Sequence, residues 1–331
     1  MIITRTPFRI SFFGGGTDYP AWYQEHGGSV LSTSINKYCY ISCRWLPPFF
    51  DHKHRIVYSI IENVKEISEI KHPSVRNVLN SLRISEGLEI HHDGDLPARA
   101  GLGSSSSFTV GLIHAIKSLY GTYISKRELS SAAIHIEQEI IRENVGSQDQ
   151  IIAAYGGFNK ISFMPSGAFE VQPVIISKQR HDELERHLML FFTGSTRIAS
   201  NIAKAQINNI SKRQFELKQM HAMVEDGLSI LGSVNGSLDD FGKLLDLSWN
   251  YKRRLSDRIT NSTIDEIYSE AINAGALGGK LLGAGGGGFL LLFVRPQDQS
   301  KVRGALSKLV HVPIKFEKSG SSVVVYQPQD P

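Results

Sequence analysis

Five stretches of this 331-residue chain carry side chains with chemistry to offer. The richest is LPARAGLGSSSSF, residues 96–108, a glycine- and serine-rich loop. Phe108, Leu112, Ala115, Ile116 and Leu119 then recur at helical spacing, so the loop opens a helix. A helix start presents N–H groups without intrahelical acceptors and about half a positive charge. Gly101 and Gly103 let the backbone approach a ligand, and Ser104 to Ser107 add hydroxyls able to bond phosphate or ligate a hard cation. Four serines behind two glycines exceed what a cap requires, and the stretch reads as an anion cradle for phosphates.

The other four are sparser. Arg9 sits inside a β-like run and either faces solvent or points into a site; Asp18, nine residues on, closes GGGTD as an Asx-turn residue or a ligand. Glu137 and Glu139 flank an apolar helical stripe of Leu129, Ala133, Ile136 and Ile140. Glu137 has Ile134 and Ile141 as helical neighbours, whereas Glu139 has His135, Arg142 and Glu143. A carboxylate among isoleucines needs a partner or a metal, so Glu137 is the functional candidate and Glu139 the alternative. Asp149, bracketed by two glutamines ahead of Gly156 and Gly157, is a cap or a catalytic acid. A glycine run, residues 274–288, contains Lys280.

The elements that must position these groups are legible in outline. Residues 2–13 form a strand, 27–45 one or two strands, 55–61 another, and 73–83 a short helix. Residues 88–92 form a strand that delivers the chain to the serine loop. Ser125 and Glu128 make a capping box for the helix bearing Glu137. A hairpin spans 158–174, a polar loop 174–185, and a strand 187–193 leads to Arg197. Charged helical text follows to about residue 268, with a helix running into the glycine run and a strand at 289–294 after it. A helix at 297–309 and strands at 314–317 and 322–327 close an α+β unit. Two domains are expected, residues 1–174 and 175–331.

Composition bounds the partners. A formal charge of +4 without basic runs argues against nucleic acid. Cys39 and Cys43 are the two cysteines, too few for a disulfide scaffold or zinc site. Met1 leads straight into a strand-like run and no apolar stretch reaches membrane length, so a soluble cytoplasmic protein is expected. Gly283, Gly285 and Gly288 formally spell GxGxxG, but in that reading a helix precedes them and a strand follows, the reverse of a dinucleotide fold. No Walker motif occurs.

Together these stretches are similar to the three motifs of the GHMP kinase superfamily (galactokinase, homoserine kinase, mevalonate kinase, phosphomevalonate kinase). Residues 7–19 resemble PGRxxLxGEHxDY, residues 97–106 resemble PxxxGLGSSA, and residues 280–288 resemble the GAGGGG segment. Within the superfamily, RTPFRISFFGGGTDYP, VGSQDQIIAAYGG and KLLGAGGGGF most resemble the branch that phosphorylates D-glycero-D-manno-heptose 7-phosphate at its anomeric hydroxyl, which shares features with fucose kinases. Gly15 and Gly16 stand where galactokinases carry Glu-His, and Ser106 replaces a usual alanine, a change expected to matter little.

The resemblance implies two α/β domains, one like ribosomal protein S5 domain 2 and one ferredoxin-like, with the site between them. It implies transfer of the ATP γ-phosphoryl to a sugar hydroxyl, in GDP-heptose synthesis for a surface polysaccharide. ATP phosphates would lie on Pro97, Arg99, Ala100, Gly101, Leu102, Gly103, Ser104, Ser105 and Ser106. Mg²⁺ would take Ser105 and Glu137, Asp149 would be the base, and Arg9 would lie beside it. Gly15, Gly16, Thr17, Asp18, Gly285 and Gly286 would line the sugar side. Arg197 and Lys280 are either surface charges or ligands of the sugar phosphate. The alternatives are a kinase for an unphosphorylated sugar (L-fucose or an N-acetylhexosamine) and a catalytically silent sugar- and ATP-binding regulator. Oligomeric state is left open, a homodimer included.

Overall fold

The computed structural model describes residues 1–98, 100–194, 199–233 and 236–328. Strands β1 (Ile2–Phe13), β2 (Gly28–Trp45), β3 (His54–Val57), β4 (Ile61–Val64), β5 (Leu88–Gly94), β6 (Phe158–Phe163) and β7 (Phe169–Pro173) build one sheet. Strands β8 (Leu188–Phe192), β9 (Ala276–Leu281), β10 (Phe289–Val294) and β11 (Val310–Val312) build a second. The last two, β12 (Phe316–Glu317) and β13 (Ser322–Tyr326), return to the first sheet, against β2 and β1. A division after residue 174 therefore does not separate the sheets.

The helices in chain order are α1 (Pro20–His26), α2 (Pro73–Ser81), α3 (Ser104–Leu119), α4 (Lys126–His135), α5 (Gln148–Tyr155) and α6 (Lys178–His187). There follow α7 (Ala199–Asn209), α8 (Gln214–Gly232), α9 (Asp239–Arg254), α10 (Ser262–Asn273) and α11 (Gln299–Ala305). Helix α3 is apolar nearly all round and is accordingly buried, between the first sheet and α4 and α5. Helix α9 joins the two halves: Phe241 meets Phe12 and Phe13 edge-on, with centroids 5.4 and 5.0 Å apart.

Of the one or two strands expected over 27–45, the structure forms one, β2, whose first half pairs with β6 and second half with β5. Several other expectations are corrected. The polar text around 174–185 hides α6, capped by Ser177, because only Leu184 and His187 of that helix are buried. The segment 55–61 is split between β3 and β4. The glycine run is a β9–loop–β10 hairpin and not a helix–loop–strand. Ile140 leaves the apolar stripe and is 39 % exposed, because residues Ile136–Ile140 form a π-helical turn that shifts the phase of the helix. Cys39 and Cys43 are free and buried.

Candidate active site

The site begins with a break in a β ladder. Pro7 lacks an N–H, and the β1–β2 register shifts between Pro7 and Phe8. Strand β13 pairs only with residues Ile2 to Arg5 of β1, so beyond them that edge of β1 is open. The serine loop takes it: the Arg9 N–H donates to the Leu102 carbonyl at 3.1 Å. This fixes the loop over the Arg9 side chain. Arg9 Nη1 donates to the Gly101 carbonyl at 2.7 Å, while Nε and Nη2 donate to the two oxygens of Asp149 at 2.7 and 2.9 Å. The fork-to-fork pair is the strong, directional form of this interaction. Asp149 lies in the first turn of α5 and keeps 23 % side-chain exposure, whereas Arg9 is buried.

Gly103, at φ +73, caps α3 without a side-chain hydrogen bond, so the helix start is left for backbone donors. The serines then diverge. Ser107 donates to the Pro7 carbonyl at 2.9 Å and ties the helix to β1. Ser105 is exposed, and Ser106 is buried and donates to Glu137 Oε2 at 2.8 Å. Successive residues of a helix are about 100° apart, so only one of the two can face the helix carrying Glu137. The serine that hydrogen-bonds Glu137 is Ser106, whereas Ser105, expected beside Glu137 as a magnesium ligand, is exposed.

Glu137 sits in the π-helical turn and is fully buried, whereas Glu139 on the same turn is exposed. Its Oε2 accepts from Ser106 and from the Gln150 amide; Oε1 has no partner among the described residues. Burial pushes the carboxyl up to about 7, and the Thr109 hydroxyl, Gln150 and Ser106 oppose that rise. A buried carboxylate with one unused oxygen fits a hard cation. Among the described residues no group of three or more His, Cys, Asp or Glu is placed to hold a metal ion. Mg²⁺ typically needs only one or two carboxylates, since it keeps waters and takes phosphate oxygens.

Asp18 is buried across from Asp149. It accepts Gly16 N–H at 2.9 Å and Gln148 Nε2 at 3.0 Å, and burial, then the charge of Asp149, raise its pKa. The Ser147 N–H donates to the Asp18 carbonyl at 2.9 Å, which ties the start of α5 to the first glycine turn. Thr17 is spent on structure: its single hydroxyl proton is shared between the carbonyls of Gly14 at 2.8 Å and Ser29 at 2.9 Å. Gly15 flanks Ser11, and Gly16 abuts Leu217.

The third motif supports the serine loop by backbone contact. A Cβ on Gly283, at φ +69, would lie 2.4 Å from Gly101 Cα, and the Phe289 N–H donates to Ala100 O. Gly285 and Gly286 pack on the Ile259 backbone. Lys280 is not a surface charge: it is buried and donates to the Phe12 carbonyl at 2.8 Å. Burial, then the charge of Arg9, push it down to about 7. Lys252 of α9, which the sequence reading missed, is also buried and donates to the carbonyls of Leu281 (2.8 Å) and Gly283 (2.5 Å). Its pKa is well lowered by burial and then by Lys280. Pro97 is exposed at the loop's entry, and Arg99 and Arg197 lie outside the described residues.

A backbone cradle at a helix start, set over an Arg–Asp pair and backed by a glycine hairpin on a two-sheet α+β fold, is an arrangement suited to handling phosphate. Residues 57–157 match the family described as GHMP kinases N terminal domain, and residues 229–312 match GHMP kinases C terminal. A Campylobacter jejuni protein named D-glycero-alpha-D-manno-heptose 7-phosphate kinase is 31 % identical over 93 % of each chain. A Pyrococcus furiosus galactokinase is 24 % identical, covering 92 % of this chain and 91 % of its own. The crystal structure of a D-glycero-D-manno-heptose 1-phosphate kinase from Bacteroides thetaiotaomicron superposes with a TM-score of 0.80 at 22 % identity, covering 99 % of this chain and all of the other. The chain belongs to the GHMP kinase family. It is a phosphotransferase with a hydroxyl group as acceptor, of a family that uses ATP as the phosphate donor. No helix among the described residues is long and apolar enough to cross a membrane.

Proposed function

We propose that the chain transfers the γ-phosphoryl group of ATP to the anomeric hydroxyl of D-glycero-D-manno-heptose 7-phosphate, giving the 1,7-bisphosphate and ADP. The observation that carries the chemistry is the bidentate Arg9–Asp149 pair directly under the phosphate loop. The 31 % identical heptose 7-phosphate kinase supports the choice of acceptor.

The residues take the following roles in this reading. The start of α3 and the Gly101–Gly103 backbone bind the triphosphate. Asp149 accepts the proton of the anomeric hydroxyl as its oxygen bonds the γ-phosphorus and the bond to the ADP oxygen breaks. Arg9, holding both Asp149 oxygens, keeps the carboxylate aimed and sets its own charge beside the transferring group. Asp18, held by Gln148 and Gly16, accepts from sugar hydroxyls. Glu137 would hold Mg²⁺, which when bound neutralises charge on the β- and γ-phosphates. Lys280, buried within reach of the charge of Asp18, would supply positive charge to the sugar's own phosphate in its protonated form; Arg197 is proposed from the sequence alone as a second cation for it.

A coupled ADP-release assay over heptose 7-phosphate, L-fucose, N-acetylhexosamines and galactose tests the acceptor. The reading predicts kcat/KM at least about 100-fold higher for the sugar phosphate; equal or higher values for an unphosphorylated sugar overturn it. No ADP release with any of these sugars favours a binding protein without turnover.

A further inference from the structure

We propose that Ser106 is a positioning residue for a divalent cation at Glu137, selecting which carboxylate oxygen faces the ion. The inference rests on the reading of Glu137 as the cation-holding residue. Both side chains are buried, so no solvent competes for their hydrogen bonds. The terminal torsion of a glutamate is broad and roughly two-fold, and packing alone does not distinguish its two oxygens. Here they are made unequal. Oε2 takes two donors, the Ser106 hydroxyl at 2.8 Å and the Gln150 amide, while Oε1 takes none among the described residues.

An oxygen that already accepts two hydrogen bonds has spent the lone pairs a cation would use. Oε1 accepts from no described group at hydrogen-bond distance, and the Thr109 hydroxyl beside the carboxyl donates to the Ser105 carbonyl at 3.2 Å. Ser106 reaches Oε2 from the first turn of α3, the turn whose N–H groups are offered to phosphate. Its hydroxyl thus couples the carboxylate directly to the phosphate loop. Gln150 reaches the same oxygen from α5, one residue after Asp149, but on a longer and more adaptable side chain. Without the Ser106 hydroxyl, Oε2 is left with one donor and the carboxylate is free to rotate. Partners that orient a metal-ligating carboxylate change metal affinity by ~10–100-fold when removed.

The test uses the full chain with Mn²⁺ and AMPPNP, read by the enhancement of water-proton relaxation, which needs no turnover. Ser106→Ala should raise the Mn²⁺ dissociation constant by ~10-fold. AMPPNP affinity without metal should change less than about two-fold, which a general distortion of the loop would not spare. Ser106→Thr, which keeps the hydroxyl, should recover most of the loss. Wild-type Mn²⁺ affinity in Ser106→Ala overturns the proposal. Glu137→Gln separates the two layers. If it too leaves Mn²⁺ binding intact, the reading of Glu137 fails. If it weakens binding while Ser106→Ala does not, only the role of Ser106 fails.

Discussion

Gly283→Ala should disable the enzyme without unfolding it, because Gly283 is the point where the third motif presses on the phosphate loop. Two costs are worked from the structure. The residue sits at φ +69, where a Cβ costs ~1–2 kcal/mol. The new Cβ would also lie 2.4 Å from Gly101 Cα and 3.0 Å from Gly101 O. Ordinary carbon contact is ~3.5–4.0 Å, so the two backbones must part by roughly 1 Å. Gly101 O accepts from Arg9, so that shift reaches Asp149. Misplacing reacting groups by 1 Å costs ~100-fold in rate. Gly167→Ala is the control: φ is +84 there, but no atom lies within 4 Å of the added Cβ. Both variants should lose the backbone-strain term, a few degrees of melting temperature, roughly, and Gly283→Ala more than that through its contact with Gly101. Only Gly283→Ala should lose ~100-fold in kcat/KM by coupled ADP release. Equal activity of the two variants would refute the idea that the glycine hairpin acts by backbone contact.

Asp149→Asn should lower turnover by ~10²–10⁴-fold while ATP affinity, measured by calorimetry, stays within a few-fold; near-normal turnover removes Asp149 from the chemistry. Two pH dependences follow from the buried ionisable groups in metal-free protein. Glu137 is raised from 4.5 to about 7 on folding, so the native state holds the extra proton and stability falls as pH rises between those values. Glu137→Gln should therefore gain on wild type between pH 5 and 7.5, by up to ~3 kcal/mol in denaturant titrations; a pH-independent difference contradicts the assignment. Lys280 is lowered from 10.5 to about 7, so the unfolded state holds the extra proton, stability rises from pH 7 upward, and Lys280→Met should lose that rise. Lys252→Met leaves the Leu281 and Gly283 carbonyls without their lysine donor, which should cost ~2–4 kcal/mol in the same titrations and fail to be rescued by Lys252→Arg; an unaffected midpoint would show that water replaces the lysine nitrogen.

The residues gathered at the site were legible wherever a local pattern announced them. Glu137 stood out as a carboxylate among isoleucines, and it is buried. The serine loop stood out by composition, and α3 begins at Ser104. What escaped lacks a local signal. Ser105 and Ser106 are neighbours of one type, and only the phase of α3 against the helix bearing Glu137 tells them apart. The π-helical turn that displaces Ile140 has no periodic signature. Lys252 opens Lys-Arg-Arg at the end of a charged helix, which reads as a solvated face; its burial follows from how α9 packs on β9. The glycines of β9 have no side chains to alternate, so the strand read as helix; a Cβ on Gly278 would lie 2.0 Å from Gly242 O of α9. The return of β12 and β13 to the first sheet joins residues some 280 or more apart, beyond any window of periodicity.

Phosphorus NMR of the product formed from ATP and D-glycero-D-manno-heptose 7-phosphate tests the central claim most directly. The account predicts a new sugar-phosphate resonance split by the anomeric proton, appearing beside the retained 7-phosphate signal and in step with ADP. ADP accompanied only by inorganic phosphate, or no ADP with this sugar but an anomeric phosphate formed on L-fucose, would contradict it.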